Sequence, residues 1–391
     1  MNAVGGTQQD PILSLRFQGH VSMEEVDARF SELALLPLRA ASVRVDLDAA
    51  ETFDVAALLK LVSVTAERRE VKLRTLFRLP SDRRARHRLR QWQFPAAVSA
   101  ATRTPFRFLV EPQDRAYFGE DPPDLLPTLE ESGSPRSSVL SYLIERQLFG
   151  LRPYPIETEI DRTRLLDDEA DLWSGFALAQ LLDRLLKGPA PDIVRVLVPA
   201  LASSVLVRPD ARFAVVGSQL DLSDSFGRPG SDGRGTLTLA VWSSGRSVIS
   251  ALRGYLKHGP GQNPAVSSSS DEFVVQATGW TPSTGTHGQR RRPGAGAEDP
   301  EVLIDALGVG APFSVSATES PQSHYRLHEL YKTVIDTFDG TLDIHTERTR
   351  LHMSGDPEFD GARYRIHATA GPRLPRQSGD LVAIRLPVRD A

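Results

Sequence analysis

The chain has 391 residues, a hydrophobic fraction of 40%, a charged fraction of 25% and a formal net charge of −4. That length supports two or three domains with real cores, and the slight acidity argues against a chain built as a whole for nucleic acid while leaving room for a local basic face. With no cysteine, disulfides, thiolate-bound zinc and cysteine nucleophiles are excluded; no apolar run approaches the roughly 20 residues of a membrane helix, and MNAVGGTQQDP lacks the pattern of a secretion signal, so a cytoplasmic bacterial protein is expected.

Residues 10–112 alternate strand and helix patterns. ILSLRFQG (12–19) alternates apolar and polar side chains, as a half-buried strand does. Ser22 and Glu25 form a capping box for a helix that puts Val26, Phe30 and Leu33 on one face. SVRVDLDAA (42–50) is the next strand, and Asp54 caps a helix whose apolar side includes Leu58, Leu61 and Val62, or a neighbouring set at the same spacing. KLRTLFRLP (72–80) is a further strand, after which Ser81 opens the helix SDRRARHRLRQW. Strands separated by single helices imply right-handed crossovers with helices packed on a sheet.

Residues 113–135 are rich in proline and acids and read as a linker. Helical patterns at 137–149 and 169–188 make 136–189 a helical connector, and a further one at 192–207 opens the last domain, 190–388. There 211–222 and 236–244 are strands, and Ser243-Ser244-Gly245 is a sharp turn into a helix. The tract 259–300, with SSSS and GQRRRPGAGAEDP, holds little that builds a core and reads as a mobile loop. Residues 323–353 read as a helix, a turn at Gly340 and a hairpin, and 362–369 and 380–388 finish the sheet. The fold class expected is α/β (α+β).

The order of TLTLAVWSSGRSVISALRGYLKHG (236–259) and SHYRLHELYKTVIDTFDGTLDIHTERTRLHM (323–353) resembles the histidine-kinase-like (GHKL, or Bergerat) ATPase fold of gyrase, Hsp90, sensor kinases and anti-sigma-factor kinases. In that family a helix carries a glutamate that activates water and, four residues on, an asparagine that binds magnesium. The resemblance places Ala200 and Ser204 there. Alanine takes no proton, and serine offers magnesium one weak oxygen. The family's adenine-binding aspartate, followed by paired glycines, is matched by Ser243, with Gly245 the one glycine kept. Its glycine-rich phosphate turn is matched by Ser323-His324-Tyr325-Arg326-Leu327, whose side chains obstruct backbone contact with phosphate.

SVRVDLDAAETFDVAALLKLV (42–62) resembles the strand–turn–helix of STAS domains, found in anti-sigma antagonists and anion-transporter tails. Regulatory members start the helix with a phosphorylatable serine beside the aspartate. Here Asp54 is followed by Val55, Ala56 and Ala57. Partner-switching systems pair a STAS protein with a kinase of the same ATPase family, so the two resemblances support each other.

Other residues have a bland reading beside a functional one. Arg83, Arg86 and Arg90 share a helical face, offset from Arg84 and Arg88. They form a nucleic-acid stripe or a dock for an acidic partner, or else a solvated face whose Leu89 and Trp92 pack inward; the last is favoured, since no aromatic stacking platform accompanies them. His324 and His328 have a metal-compatible spacing, but Tyr325 stands where the zinc-protease helix has its glutamate. Ser267–Ser270 and Arg290–Arg292 read as solvated loop, and Trp173, Phe176, Leu181, Leu182 and Leu185 as core or a dimerising helix.

The resulting expectation is a non-catalytic regulator or scaffold that binds an active paralogue or a sigma/anti-sigma-type protein, with no catalytic or metal residues, no cofactor, and homo- or hetero-oligomerisation open. Its degenerate pocket would be Ser204, Ser243 and Gly245, and its partner-binding candidates Arg83, Arg86 and Arg90. The alternative is an ATP-binding enzyme, using ATP or ADP with magnesium, whose atypical site draws on Ser204, Ser243 and acids such as Asp221 or Asp224.

Overall fold

The computed structural model describes residues 12–34, 42–119, 150–173, 186, 211–221, 235–245, 247, 249, 272–278, 300, 303, 327–355, 363–371, 374–377 and 379–388. The first layer is built from β1 (Ile12–Val21), α1 (Met23–Ala34), β2 (Ser42–Phe53), α2 (Val55–Glu70) and β3 (Thr75–Arg78). The three strands are parallel in the order β1-β2-β3. The helices α3 (Arg83–Gln91) and α4 (Phe94–Thr102) and two short 3-10 turns, Phe106–Phe108 and Pro112–Gly119, follow.

The capping residues act as their chemistry dictates. Ser22 Oγ accepts from the Glu25 amide at 3.3 Å, and Asp54 accepts from Ala56 at 3.1 Å at the start of α2. Helix α3 is capped by Asp82, one residue beyond the expected opening. Ser81 is held back by two bonds to the Asp48 carbonyl, from its amide at 3.0 Å and its hydroxyl at 2.9 Å.

The second layer is a mixed sheet of eight strands. In chain order the rest of the fold is β4 (Gly150–Pro155), α5 (Glu159–Trp173), β5 (Phe213–Asp221), β6 (Thr236–Ser243), β7 (Glu272–Thr278), α6 (Leu327–Lys332), β8 (Thr341–Thr346), β9 (Thr349–Gly355), β10 (Arg363–Ala370) and β11 (Asp380–Pro387). The strand order is β4-β5-β6-β11-β8-β9-β10-β7, and every pairing is antiparallel except β10 with β7. The class is therefore α+β, as composition and periodicity imply.

Two elements differ from the sequence reading. Gly150–Pro155, inside the stretch expected to be a helical connector, is an edge strand. Pro153 and Pro155 suit an edge, where a missing N–H breaks no central ladder. Glu272–Thr278, inside the tract expected to be a mobile loop, is the opposite edge and pairs with β10 along its length. Its EFVVQAT run holds paired valines that favour extended backbone. The candidate helices at 137–149 and 192–207, most of those at 169–188 and 246–259, and the linker beyond 119 lie outside the described residues.

Helix α2 joins the layers. Its residues Val55 to Ala66 are all buried, beyond the single face that Leu58, Leu61 and Val62 suggest, because one side meets the parallel sheet and the other meets β5, β6 and β11. Phe213, Val215, Ala240, Trp242, Leu381 and Ala383 belong to the same apolar cluster as Leu58, Leu61, Val62, Phe77 and Phe94. Each fully buried valine or leucine is worth about 1.5–3 kcal/mol, so this shared core dominates the joint. Strand alternation sends Ala214, Val216, Leu239, Val241, Val382 and Ile384, also buried, to the sheet's far face. Tyr331 of α6 packs edge-on to Tyr364 of β10 there, at 4.8 Å between ring centres.

The second layer also helps start α2. Gln219 of β5 accepts from the Val55 amide at 2.8 Å and donates to the Phe53 carbonyl at 3.4 Å. Gln219→Ala removes that second cap, and is expected to lower stability by about 1 kcal/mol, read as a fall in the urea midpoint at unchanged slope.

Candidate functional site

Two places concentrate polar groups: the turn after β6, and the seam between the layers. At the turn, Ser243 is the last residue of β6 and has no exposed surface. Ser244 is pinned to the start of β5, donating from its amide to the Phe213 carbonyl at 2.8 Å while its hydroxyl accepts from the Arg212 amide at 3.1 Å. Gly245 has φ +117° and Gly379 φ +68°, both in the region that favours glycine. A Cβ on Gly379 would run into the Ser243 carbonyl, so the turn is closed by backbone packed on backbone.

Register brings unforeseen partners to Ser243. Asp380 of β11 lies across from Ser243 on one side and from Thr346 of β8 on the other. Paired residues share a face, so these three form a buried polar row on the face away from α2. Thr346 Oγ1 has no hydrogen-bond partner among the described residues. Asp221 is elsewhere: it pairs with Thr236, at the opposite end of β6. Ser204, Ala200, Asp224, His324, Ser267–Ser270 and Arg290–Arg292 lie outside the described residues, as does the side chain of His328.

The seam carries a larger cluster. Lys60 of α2, 3% exposed, has Asp27 Oδ1 of α1 at 3.1 Å, His345 Nδ1 of β8 at 3.1 Å and Gln377 Oε1 at 2.8 Å. Gln377 in turn donates to the His345 carbonyl at 2.6 Å. Burial pushes Lys60 below its ordinary pKa, against the pull of the Asp27 charge. Burial and the charges of Lys60 and Arg350 hold His345 well below the usual histidine range. A neutral imidazole beside an ammonium accepts at Nδ1, which puts the ring proton on Nε2. That atom is buried and has no hydrogen-bond partner among the described residues.

Next to it, Asp343 of β8 accepts from Arg385 Nη1 at 2.5 Å, His352 Nδ1 at 3.0 Å and Arg350 Nη2 at 3.1 Å. Burial opposes its charge, but the His352 hydrogen bond and the two guanidinium groups hold its carboxyl far below the carboxylate range. Arg385 reaches Asp54 at 3.2 Å, and Arg350 reaches Glu24 at 2.5 Å. The first layer thus contributes Glu24, Asp27, Asp54 and Lys60, and the second Asp343, His345, Arg350, His352 and Arg385. No group of three or more metal-type ligands arises among the described residues.

The seam and the turn are linked through side chains. Ser247, just past Gly245, hydrogen-bonds Glu347 in the β8–β9 turn. The Glu347 carbonyl accepts from the Gln377 amide at 3.2 Å, and Gln377 reaches Lys60. Most of these partners had no signal in the sequence, because their pairing joins residues some 300 positions apart, as with Lys60 and His345. Asp54 was visible through its capping role alone.

A second buried cluster lies on the far face. Glu169 of α5, with no exposed surface, accepts from Arg152 Nε at 2.7 Å and Nη2 at 3.0 Å, Tyr154 at 2.7 Å and Trp173 Nε1 at 3.1 Å. Arg152 also donates to Ser218 at 2.9 Å. All its polar atoms point to one another, an arrangement suited to holding α5 on the sheet. Trp173 accordingly belongs to this packing.

On α3, Arg83 and Arg90 are exposed, and Arg86 is half-buried with Nε donating to the Pro80 carbonyl at 2.7 Å. Leu89 is buried and Trp92 half-buried against the core, so the helix turns its apolar side inward. No helix among the described residues is long and apolar enough to cross a membrane. No family model, curated protein or solved structure matches the chain.

Proposed function

We propose that this protein is a non-catalytic regulator or scaffold, acting through protein–protein interaction in a bacterial signalling, stress or defence complex, with a degenerate ATPase-like second layer. The observation that carries the reading is the fate of the acid–base groups. Lys60, Asp27, His345 and Asp343 have the residue types of a proton-transfer site, yet they are buried in the seam, where the Lys60–His345 contact joins the layers and Asp343 accepts from Arg385. Ser243, at the position of the family's adenine-binding aspartate, is sealed in the sheet behind a pinned turn. The helix whose first turn carries the phosphorylation switch in regulatory STAS proteins is α2, and its start is covered by Gln219 and Arg385. A rigid joint of this kind presents outer surfaces in fixed geometry, which suits a scaffold.

One observation favours a second reading, an ATP-binding enzyme with an atypical site. The carboxylate missing at Ser243 has a neighbour one strand away in Asp380, with the Thr346 hydroxyl beside it. Calorimetric titration with magnesium-ATP, run with a phosphate-release assay, separates the two. The regulatory reading expects no turnover. Hydrolysis abolished by Asp380→Asn would replace it with the second.

A further inference from the structure

Three of the four exposed large apolar residues among those described, Ile12, Val71 and Phe108, lie at one end of the first layer. Ile12 opens β1 and pairs with Ser42, the first residue of β2. Val71 follows α2 just before β3. Phe108 closes the 3-10 turn from which the chain runs up beside β3, where Val110 bridges Phe77. All three therefore sit on the rim formed by the N-terminal ends of the parallel strands.

The same rim exposes Arg69, Lys72, Arg74, Arg103 and Arg107. None of the five has an ion-pair partner among the described residues, whereas Glu67 nearby is already paired with Arg376. The Arg107 guanidinium lies 4.9 Å from the Phe108 ring centre, a cation–π contact on the open surface. The end of a helix dipole accounts for a cation such as Arg69 in the last turn of α2, but Arg74 lies outside any helix, just before β3, and Arg107 sits in a single 3-10 turn of three residues. Lys72 and Arg103 have φ +61° and +51°, where glycine is the easier residue. Long cations thus stand at positions the backbone does not favour.

We propose that this rim docks an acidic protein segment that carries an apolar anchor residue; the proposal rests on the regulatory reading above and names the chemistry of its partner. Unpaired cations around an exposed phenylalanine match the make-up of interface cores, which are enriched in aromatic residues and arginine. Ile12 on β1 and Phe108 on the segment beside β3 are three strand spacings apart, a span of roughly 14 Å, which about four extended residues cover. A nucleic-acid site would pair such cations with a platform of stacking aromatics, and the rim's exposed apolar residues include the single ring of Phe108. A membrane surface calls for an apolar face able to sink about 5–10 Å into lipid, and three separate apolar side chains set among five cations do not supply one.

The test pans a phage-displayed library of random peptides against the full chain and measures selected peptides by fluorescence polarisation. Enriched sequences are expected to cluster Asp and Glu around a Leu or Phe. Their affinity is expected to fall roughly ten-fold in Phe108→Ala and further in the double variant Arg103→Glu, Arg107→Glu, with little change in Arg83→Glu, Arg90→Glu on α3. Circular dichroism checks that the exposed substitutions leave the fold intact. Selection without acidic peptides, or affinities indifferent to the rim variants, overturns the proposal. So does equal, rim-dependent binding of anionic lipid vesicles or duplex DNA. Absent ATP turnover with a failed selection removes this surface and leaves the regulatory reading standing, whereas turnover removes that reading itself.

Discussion

Replacing Glu169 with alanine is expected to lower the unfolding free energy by about 3–5 kcal/mol. The carboxylate accepts four hydrogen bonds, two from Arg152 and one each from Tyr154 and Trp173. Its loss removes the carboxylate that neutralises the buried Arg152, and it strips partners from the tyrosine and indole. Desolvation of Arg152 already works against its charge, and the Glu169 carboxylate is what keeps it raised above its ordinary pKa. Urea unfolding followed by circular dichroism measures the loss. The double variant Arg152→Met, Glu169→Leu removes both charges and is expected to recover much of it, because the penalty comes from the unpaired partner more than from the missing bond. Equal destabilisation by the single and double changes would show that packing of α5 on the sheet, and not charge pairing, sets the cost.

The contrast between α2 and the strands explains how much of this fold was legible. The strand–helix order of the first layer was, since Leu15 and Phe17 alternate with exposed residues and Asp54 announces a helix by capping chemistry. The hairpin after Gly340 was equally plain. Period-two alternation shows which residues share a face, but not what covers it. LDIHT, RLHM and AIRLP read as strands with a polar side suited to water, yet Asp343, His345, Arg350 and Arg385 turn that side to the first layer. A lysine in mid-helix reads as solvated, and Lys60 is buried because its counter-ions arrive from α1 and β8. The turn after β6 shows the same limit. Ser243-Ser244-Gly245 is readable as a turn from its residues, while Asp380 becomes the neighbour of Ser243 through strand register, which no local pattern encodes.

That buried seam makes stability depend on acidity in a way that can be assigned to one ring. In the folded protein His345 faces Lys60 of α2, Asp27 of α1, Arg350 of β9, Arg385 of β11 and Asp343 on its own strand. Burial and the nearby cations keep its pKa well below the ordinary histidine value of about 6.5, while in the unfolded chain it titrates near that value. Between the two pKa values the unfolded state binds one more proton, so stability contributed by the neutral ring is present above about pH 6.5 and lost as pH falls. The slope is about 1.4 kcal/mol per pH unit from this group. Chemical denaturation at steps from pH 7 to 5 is therefore expected to show the wild type losing stability faster than His345→Gln, which keeps an acceptor for Lys60 but cannot take a proton. Asp343, whose folded pKa is also depressed, adds its own loss only below about pH 4, so the two groups separate along the axis. Parallel curves for wild type and His345→Gln from pH 7 to 5 would mean that the ring has the same pKa folded and unfolded, and a wild type that gains stability relative to His345→Gln on acidification would mean that the ring is already protonated when folded, with Asp27 as its counter-ion; either result ends the assignment of the seam as a neutral-histidine lock.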